Sequence, residues 1–427
     1  MNTVQTQKWQ TRFFTIWTGQ ALSLISSEWV QFALVWWLTE VAGSASVVAM
    51  GTLVALLPRA FLSPVAGALV DRWNRRLVMI VADGLIALSL AWLGFLFWMG
   101  AAQVWHVYVV MFVRAIGTSF HMPAMFASTA LMVPEKHLSR VAGMNEMTYG
   151  AVMVFAPPVG ALLMSLMPLS GIIAIDVVGA LLAIVPLLFI RIPQPRRSPA
   201  YSGESTAIAG PLAIWSDVRA GVRYMRDWPG AVGMLTLSTS INFLSRPAFL
   251  LTSILVARHF GGTEHEFGWM GAAFGAGIMT GGLVLSVWGG FRRRMQTSLM
   301  GVVGMGLGIL AIGLAPQSAL QLALGGMFAG GFMVPMCMGP IKALVQSEVE
   351  PSMQGRVFTI MESVSTAISP LSLAVAGPIF DRWGPQAWYV WGGIAAVLIG
   401  LKGFITPSIL NLGAPGAIES HTRITRH

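Results

Sequence analysis

Long apolar segments separated by short polar connectors make up most of this 427-residue chain. A helix that crosses the hydrocarbon core of a bilayer needs about 20 predominantly apolar residues. Twelve segments reach this length, and we number them as spans 1 to 12: 13–39, 47–70, 77–99, 105–127, 141–166, 171–190, 230–257, 267–288, 296–315, 319–345, 357–380 and 386–406. The pattern predicts an all-α integral membrane protein with twelve transmembrane helices.

One connector is much longer than the others and divides the spans six and six. It begins RIPQPRRSPAYSGESTAIAG and is rich in Pro, Ser, Gly and Arg, a composition typical of linkers. Further on, Trp215, Val218, Val222 and Met225 repeat at helical spacing with arginines on another face. This predicts an amphipathic helix on the membrane surface, with a basic calmodulin-type target as the weaker alternative. We predict an N-terminal six-helix bundle at 1–190, a cytoplasmic linker with this helix at 191–229, and a C-terminal six-helix bundle at 230–427.

The composition agrees with a lipid environment. Only 10% of the residues are charged and the mean hydropathy is +0.71, whereas soluble domains are about 25% charged. The net charge of +9 does not indicate nucleic-acid binding, because the basic residues lie at the ends of apolar segments. The single cysteine, Cys337, excludes disulfides and cysteine-based metal sites, and we interpret it as a small apolar filler. We predict no metal site and no cofactor.

The basic residues also predict the orientation in the membrane. One set of connectors and termini holds most of them: Lys8, Arg12, Arg72, Arg75, Arg76, Lys136, Arg140, the linker arginines, Arg292, Arg293, Arg294, Arg356, Arg423 and Arg426. The opposite connectors hold Arg258 and Arg382. Because cytoplasmic loops are enriched in Lys and Arg, we predict a multi-pass protein of the cell (inner or plasma) membrane with both termini in the cytoplasm.

The two halves resemble each other faintly. LSRVAGMNEM at 138–147 is similar to QGRVFTIMES at 354–363, so that Arg140 matches Arg356 and Glu146 matches Glu362, both 216 positions apart. The pair Arg75–Arg76 matches Arg293–Arg294, 218 positions apart. A nearly constant offset across several helices is typical of two parallel six-helix repeats.

Two motifs resemble those of the major facilitator superfamily. GALVDRWNRR between spans 2 and 3 matches its G-x-x-x-D-R-x-x-R-R loop at Gly67, Asp71, Arg72, Arg75 and Arg76. GAVMVFAPPVGA in span 5 is similar to its antiporter signature at Gly150, Pro157 and Gly160, with Ala156 where a second glycine is usual. FFTIWTGQALSLISS, FVRAIGTSFHMPA, IIAIDVVGA and GRVF resemble its macrolide-efflux branch, to which siderophore exporters are also similar. The resemblance runs along nearly the whole chain and implies the major facilitator fold and an export function.

Within this resemblance, the charged loop between spans 2 and 3 is expected to form part of a cytoplasmic gate. Asp71 would lie near the start of span 11, where Arg356 and helix amides offer positive partners, while Glu146 and Glu362 would contact arginines between the halves. The alternative is that these charges only set the topology. The predicted gate residues are Gly67, Asp71, Arg72, Arg75, Arg76, Arg140, Glu146, Arg356 and Glu362.

Ionisable residues inside the spans are the candidates for substrate binding and coupling, because charges in a bilayer usually face a cavity or a partner. Glu28 in span 1 and Arg246 in span 7 lie at equivalent depths, 218 positions apart. We predict that they pair across the two halves; the alternative is pairing within each half or an Arg246 that extends to the outer interface. The predicted cavity and coupling residues are Glu28, Gln31, Arg59, Arg114, His121, Asp176, Asn242 and Arg246.

Several of these residues leave alternatives open. Arg114, Thr118 and His121 share one helical face, and His121 is interpreted as a structural group in preference to a proton carrier. Asp83 and Asp176 match the family's positions in spans 3 and 6, where either can be structural. Arg59, Arg114 and Arg246 together would suit an anion, whereas macrolides are usually cationic amines.

The sequence therefore predicts a transporter and not an enzyme. Its histidines are scattered, no paired metal motif is present, and no G-x-x-x-x-G-K-[ST] loop exists for ATP. We expect proton-coupled efflux of an amphipathic, macrolide-like molecule by alternating access, with export of an anionic siderophore or other carboxylate as the alternative. A receptor or scaffold with a degenerate transporter fold is disfavoured by the intact loop motif. The expected partners are a small-molecule substrate, protons and membrane lipid, and the protein is expected to be a monomer.

Overall fold

A computed structural model of the chain describes residues 3–70, 73–192, 229–349, 351–406 and 410, with side-chain detail at most of these positions. The regular structure in this part of the chain is helical. Nearly all of the predicted linker at 191–229, including its amphipathic helix, lies outside the described residues.

Six long helices precede the linker. They are α1 (Thr3–Ala42), α2 (Ala45–Val70), α3 (Arg75–Trp98), α4 (Val104–Met132), α5 (Glu135–Leu166) and α6 (Leu169–Phe189). Six more long helical segments follow it: α7 (Pro229–Leu250), continued by α8 (Thr252–Leu255) and a π-helical turn (Val256–Phe260), then α9 (Glu264–Trp288), α10 (Arg294–Leu314), α11 (Leu320–Glu348), α12 (Pro351–Trp383) and α13 (Pro385–Ile405). Each predicted span therefore corresponds to one helical segment.

Local sequence determines where several helices begin and end. Asn74 caps α3 by accepting hydrogen bonds from the amides of Arg76 at 3.1 Å and Leu77 at 3.4 Å, as expected of an asparagine at this position. Just after α3, Gly100 adopts a left-handed conformation with φ of 68°, which a glycine tolerates at no steric cost.

Within the described residues, nine helices are long and apolar enough to cross a membrane. The number is ten when the bent α7–α8 segment is counted as one span. α2 runs for 26 residues from Ala45 to Val70, which is long enough to cross a bilayer. Many large apolar side chains lie on the outside of these helices, for example Phe189 and Trp98, which are 81% and 75% exposed. An outer surface of this kind requires lipid as its solvent.

The seventh segment is not the continuous helix predicted at 230–257, because it bends by 50° at Leu251. Pro247 lies four residues before the bend, and side chains from α13 bond the backbone carbonyls nearby. Trp388 Nε1 donates to the carbonyl of Leu244 at 3.0 Å, and the Tyr389 hydroxyl donates to that of Ala248. A proline and inserted side-chain donors are known causes of helix kinks.

The chain divides into two compact units, Met1–Gly203 with Thr263–Gly268, and Glu204–Gly262 with Trp269–His427. In the first unit α3 packs against α4 and α6, and α1 packs against α5 and α6. In the second unit α10 packs against α11 and α13, and α7 packs against α12 and α13. The same packing pattern therefore occurs in each unit.

Helix positions support the predicted repeat. The starts of α9 and α10 follow those of α2 and α3 by 219 residues (264 − 45 and 294 − 75). The starts of α11, α12 and α13 follow those of α4, α5 and α6 by 216 residues (320 − 104, 351 − 135 and 385 − 169). The three-residue change arises because α10 has 21 residues where α3 has 24.

Candidate functional site

The first unit encloses a cavity of about 160 Å³ among its six helices. Three carboxylates, two guanidinium groups and one imidazole line it: Glu28, Asp83, Asp176, Arg59, Arg114 and His121. An apolar part of the wall consists of Ala21, Leu24, Ile86, Met122, Met125 and Phe126. Five residues predicted from the sequence as cavity residues, Glu28, Arg59, Arg114, His121 and Asp176, therefore share one cavity.

Asp176 on α6 is held by hydroxyl groups of α1. Its Oδ1 accepts hydrogen bonds from Ser26 Oγ at 2.7 Å and Ser27 Oγ at 3.0 Å. Asp176 is 1% exposed, and Arg114 attracts it electrostatically. A buried carboxylate with two hydroxyl donors and a nearby guanidinium group has its charge and its acceptor atoms compensated, so Asp176 ties α6 to α1.

Arg114 on α4 connects this carboxylate to α1. Its Nη2 donates to the carbonyl of Ser27 at 3.0 Å. Its Nη1 is buried and has no hydrogen-bond acceptor within the described residues. Because a buried donor without an acceptor costs free energy, Nη1 is positioned to bind an acceptor group that enters the cavity.

Glu28 and Arg59 lie on the more open part of the cavity wall. Both side chains are exposed there, in contrast to Asp176. Glu28 is within electrostatic range of Arg114, Arg59 and Asp176. The carboxylate of Glu28 faces the cavity and, within the described residues, does not accept hydrogen bonds from serine hydroxyls as Asp176 does. It is therefore available to bind a cationic ligand or a proton.

Asp83 on α3 forms a second acidic centre. Its Oδ2 accepts a hydrogen bond from Gln20 Nε2 at 3.1 Å, and its Oδ1 lies 3.3 Å from His121 Nε2. Asp83 is 7% and His121 is 9% exposed. The distance is within reach of an ion pair, although the angle at His121 Nε2 does not satisfy a hydrogen bond. The two groups therefore form a close, buried pair.

One wall of the cavity was not predicted from the sequence. Asn145 on α5 accepts a hydrogen bond from Trp17 Nε1 at 2.8 Å, and Thr148 and Tyr149 lie beside it. Their spacing on one helical face could have been recognised in the sequence. Neutral polar residues, however, do not indicate a cavity as clearly as charged residues within a span do. Gln31, which the sequence predicted as a cavity residue, is half-buried and lies beyond Glu28, outside this lining.

The predicted residues of the second unit form a chain of hydrogen bonds along α7. Arg246 Nε donates to Asn242 Oδ1 at 3.2 Å, and Asn242 Nδ2 donates to the carbonyl of Ser238 at 2.9 Å. Ser238 Oγ lies 3.4 Å from Ser365 Oγ on α12. Arg246 is thus bonded within its own unit, and its pairing with Glu28 stays a prediction.

Two arginines of the predicted gate bond backbone carbonyls of neighbouring helices inside the first unit. Arg75 Nη1 donates to the carbonyl of Ala127 at 3.1 Å, and Arg76 donates through Nε and Nη2 to the carbonyls of Leu187 and Leu188. Leu187 and Leu188 lie at the C-terminus of α6, where an arginine satisfies free carbonyls and interacts favourably with the helix dipole. This role was not predicted from the loop motif.

The other predicted gate residues are described less fully. Arg140 is exposed. Asp71 and Arg72 lie outside the described residues, as do the side chains of Glu146, Arg356 and Glu362 and the surroundings of Gly67. Their function in a gate stays a prediction.

The residues of the span-5 signature lie in α5. Pro157 is inside the helix. A Cβ at Gly160 would lie 2.9 Å from Phe32 Cδ1 on α1, whereas a Cβ at Gly150 would meet nothing within 4 Å. Gly160 therefore permits the close packing of α5 on α1, and Gly150 has no such packing requirement.

Within the described residues, no group of three or more His, Cys, Asp and Glu side chains is placed to hold a metal ion. Cys337 is free and fully buried, in agreement with its interpretation as an apolar filler. The cavity thus offers charged and apolar side chains for binding a small molecule.

Sequence comparison identifies the family of this helical protein. The sequence profile described as Major Facilitator Superfamily matches residues 16–249 and 235–416. The chain belongs to the Major Facilitator Superfamily. It is therefore a multi-pass membrane transporter and not an enzyme, as the sequence predicted.

Two of the relatives found within the superfamily are named as efflux proteins. Macrolide efflux protein A of Streptococcus pyogenes is 33% identical over 393 residues, which cover 92% of this chain and 95% of that protein. The multidrug efflux pump Tap of Mycobacterium tuberculosis is 26% identical over 414 residues, with 92% of this chain and 91% of that protein covered.

Solved structures with the same fold are transporters of the superfamily. A D-xylose–proton symporter has a TM-score of 0.68 at 14% identity and covers 91% of this chain and 96% of its own. A POT family transporter in complex with 5-aminolevulinic acid has a TM-score of 0.70 at 14% identity and covers 94% and 96%. At this identity the similarity supports the fold alone.

Proposed function

We propose that this protein is a secondary active transporter of the cell membrane that exports an amphipathic, macrolide-like molecule in exchange for protons. The named efflux relatives support export of a drug-type substrate. Alternating access of the two six-helix bundles, 1–190 and 230–427, provides the mechanism known for transporters built from such repeats. Both termini lie in the cytoplasm, because the basic residues cluster on that side of the spans.

The charge balance of the cavity carries the proposal. Three carboxylates face two guanidinium groups there, and the same cavity has an apolar wall. The carboxylates of the lining thus outnumber its guanidinium groups by one, which gives an excess of acidic groups. A ligand with one amine cation and a large apolar surface compensates this excess and fills the apolar wall, and a macrolide has both features.

The alternative, export of an anionic siderophore or other carboxylate, depends on three arginines acting together. Arg59 and Arg114 share the cavity with the three carboxylates, and Arg246 is bonded to Asn242 in the second unit. The charge of the two cavity arginines is thus already compensated by carboxylates, and Arg246 lies in the other unit, where it bonds a neutral amide. The alternative remains an outcome of the experiment below.

Protons supply the energy in this proposal. The chain has no P-loop for ATP, and its cavity carries carboxylates that can exchange a proton for a cation. Each proton that moves inward releases about 2.3 kcal/mol per 100 mV of membrane potential, plus the contribution of the pH gradient.

The predicted gate residues and the predicted pair Glu28–Arg246 belong to the conformational cycle. In this proposal the charged loop at 67–76 closes the inner side, and the pair closes the outer side. A double-mutant cycle tests the pair: if Glu28→Gln and Arg246→Gln reduce transport with additive effects, the two residues act independently.

The test is accumulation of a labelled macrolide in efflux-deficient bacteria that express the protein, with and without a protonophore. We expect lower accumulation than with empty vector and restoration by the protonophore. Glu28→Gln is expected to abolish the difference, while the matched change Glu40→Gln, at an exposed position on the same helix, leaves it intact.

Equal accumulation in cells with protein and with empty vector, at verified membrane levels, would exclude macrolide export. The same cells would then be assayed with a labelled ferric siderophore that carries carboxylates. Export of that anion would establish the alternative function.

A further inference from the structure

The cavity contains two acidic centres that differ in their surroundings. Asp176 receives two serine hydroxyls, and Arg114 lies close to it. Asp83 receives one amide hydrogen bond from Gln20 and faces the imidazole of His121 at 3.3 Å. The first centre has its negative charge compensated by a permanent cation, whereas the second has a partner whose charge depends on a proton.

His121 Nε2 is buried but lacks a hydrogen bond of good geometry. A buried nitrogen 3.3 Å from a carboxylate oxygen needs only a small rotation to donate a proton to it or to share one with it. The pair has a net charge of −1 without a proton, 0 with one and +1 with two. It can therefore take up a proton from one side of the membrane and give it up to the other without any other change in its bonds.

The other ionisable groups of the cavity surround this pair on every neighbouring helix. Glu28 lies on α1, Arg59 on α2, Arg114 on α4, Tyr149 on α5 and Asp176 on α6. Arg114 bonds Ser27 and acts electrostatically on Asp176 and Glu28. A cation bound at Glu28 repels a proton on the Asp83–His121 pair, because both line one cavity of about 160 Å³ and like charges disfavour each other.

We propose that the Asp83–His121 pair is the proton-carrying site of this transporter, and that it is separate from Glu28, which receives the cationic group of the substrate. The inference rests on the proposed function, proton-coupled efflux. Asp176 ties α6 to α1 and does not take part in the exchange. Binding of a proton at the pair and of a substrate cation at Glu28 oppose each other, and this opposition couples the two fluxes.

The experiment uses the purified full-length protein in liposomes, with the membrane potential held at zero. For exchange of one proton against one cation, a gradient of about one pH unit supports about tenfold accumulation of a labelled macrolide. We expect this accumulation for the wild type. Asp83→Asn and His121→Asn are expected to lose it and reach only the equilibrium level, about a tenfold reduction.

The second measurement is exchange of labelled for unlabelled macrolide without a pH gradient, which requires no net proton movement. The two variants should lose proportionally less exchange than gradient-driven accumulation, whereas Glu28→Gln should lose exchange and accumulation together. Asp83→Glu should recover part of the gradient-driven accumulation. His265→Asn, a histidine outside the cavity lining, serves as the matched control and should behave like the wild type.

Proton release on macrolide binding gives a readout on the unmodified protein. In weakly buffered detergent solution the wild type should release a proton when macrolide binds, and Asp83→Asn should release none.

Unchanged gradient-driven accumulation and proton release in both variants would overturn the inference and leave the proposed function intact. Equal loss of exchange and accumulation in folded Asp83→Asn protein would also overturn it. A wild type that neither exchanges nor accumulates macrolide would instead overturn the proposed function.

Discussion

At the scale of single residues, the contact between Ser26 and Asp176 limits which side chain position 179 can have. A Cβ at Gly179 would lie 2.4 Å from Ser26 Oγ, the hydroxyl that donates to Asp176. Gly179→Ala should therefore displace this hydroxyl and lower the free energy of unfolding by about 1–3 kcal/mol, because a buried acceptor loses its donor. The loss is measured as a lower midpoint of thermal unfolding in detergent.

A double-mutant cycle separates this mechanism from a general packing effect. In a Ser26→Ala background the new Cβ meets the Cβ of residue 26 at 3.4 Å, an ordinary contact, so the two substitutions should be less than additive. Gly84→Ala on α3 is the control, because a Cβ there meets nothing within 4 Å. Additive losses would contradict the displacement of Ser26.

Arg76 provides a second prediction for a single side chain. Its guanidinium group donates to two successive carbonyls, Leu187 and Leu188, at the end of α6. A lysine keeps the charge but lacks the planar pair of donors, so Arg76→Lys should lower the free energy of unfolding by about 1 kcal/mol. Arg12→Lys, at an exposed position, is the control in the same unfolding measurement. Unchanged stability with reduced transport would instead support a gating function for Arg76.

At the scale of helices, apolar length predicted the elements because a bilayer requires one apolar helix per crossing. The predicted span at 171–190 and α6 (Leu169–Phe189) differ by two residues at the start and one at the end. The bend at Leu251 was not predictable in the same way. It depends on Trp388 and Tyr389, which lie far away in the sequence and contact α7 only in the folded unit.

The candidate site, like the helices, was predictable from the sequence in part. Charged residues within spans identified Glu28, Arg59, Arg114, His121 and Asp176, because lipid-buried charge requires a cavity or a partner. Periodicity gives the face of one helix but not its rotation toward its neighbours. For this reason the sequence did not predict that His121 faces Asp83, or that Arg75 and Arg76 bond backbone carbonyls of α4 and α6.

The bend in the seventh segment leads to a prediction for this element. The carbonyl of Ala248 accepts hydrogen bonds from the Tyr389 hydroxyl and, at 2.9 Å, from Thr252 Oγ1. Tyr389→Phe should cost about 1 kcal/mol of unfolding free energy, because the second donor remains. Tyr389→Phe with Thr252→Val should cost more than the sum of the single changes, because the carbonyl loses both side-chain donors. Thermal unfolding of the four proteins checks this, and strict additivity would contradict it.

At the scale of the whole molecule, the two units repeat one arrangement of helices. The first residue of α3, Arg75, bonds the carbonyl of Ala127 on α4, and the first residue of α10, Arg294, bonds that of Ala343 on α11 at 3.0 Å. Corresponding residues thus make corresponding contacts, with Arg75 equivalent to Arg294 at an offset of 219 (294 − 75) and not to Arg293 as the sequence predicted. We predict that equivalent helices cross the membrane in the same direction, because an even number of predicted spans separates them.

This orientation gives the last prediction, that the α3–α4 connector is extracellular and the connector before α10 is cytoplasmic. Cys337 is free and fully buried, so the parent protein should not react with a membrane-impermeant maleimide. Ala101→Cys, in an exposed connector, should be labelled in intact cells. Arg292→Cys, also exposed, should be labelled only after permeabilisation, because arginine-rich connectors remain on the cytoplasmic side. The opposite labelling pattern would invert the topology, and with it the direction in which the proton gradient drives the substrate.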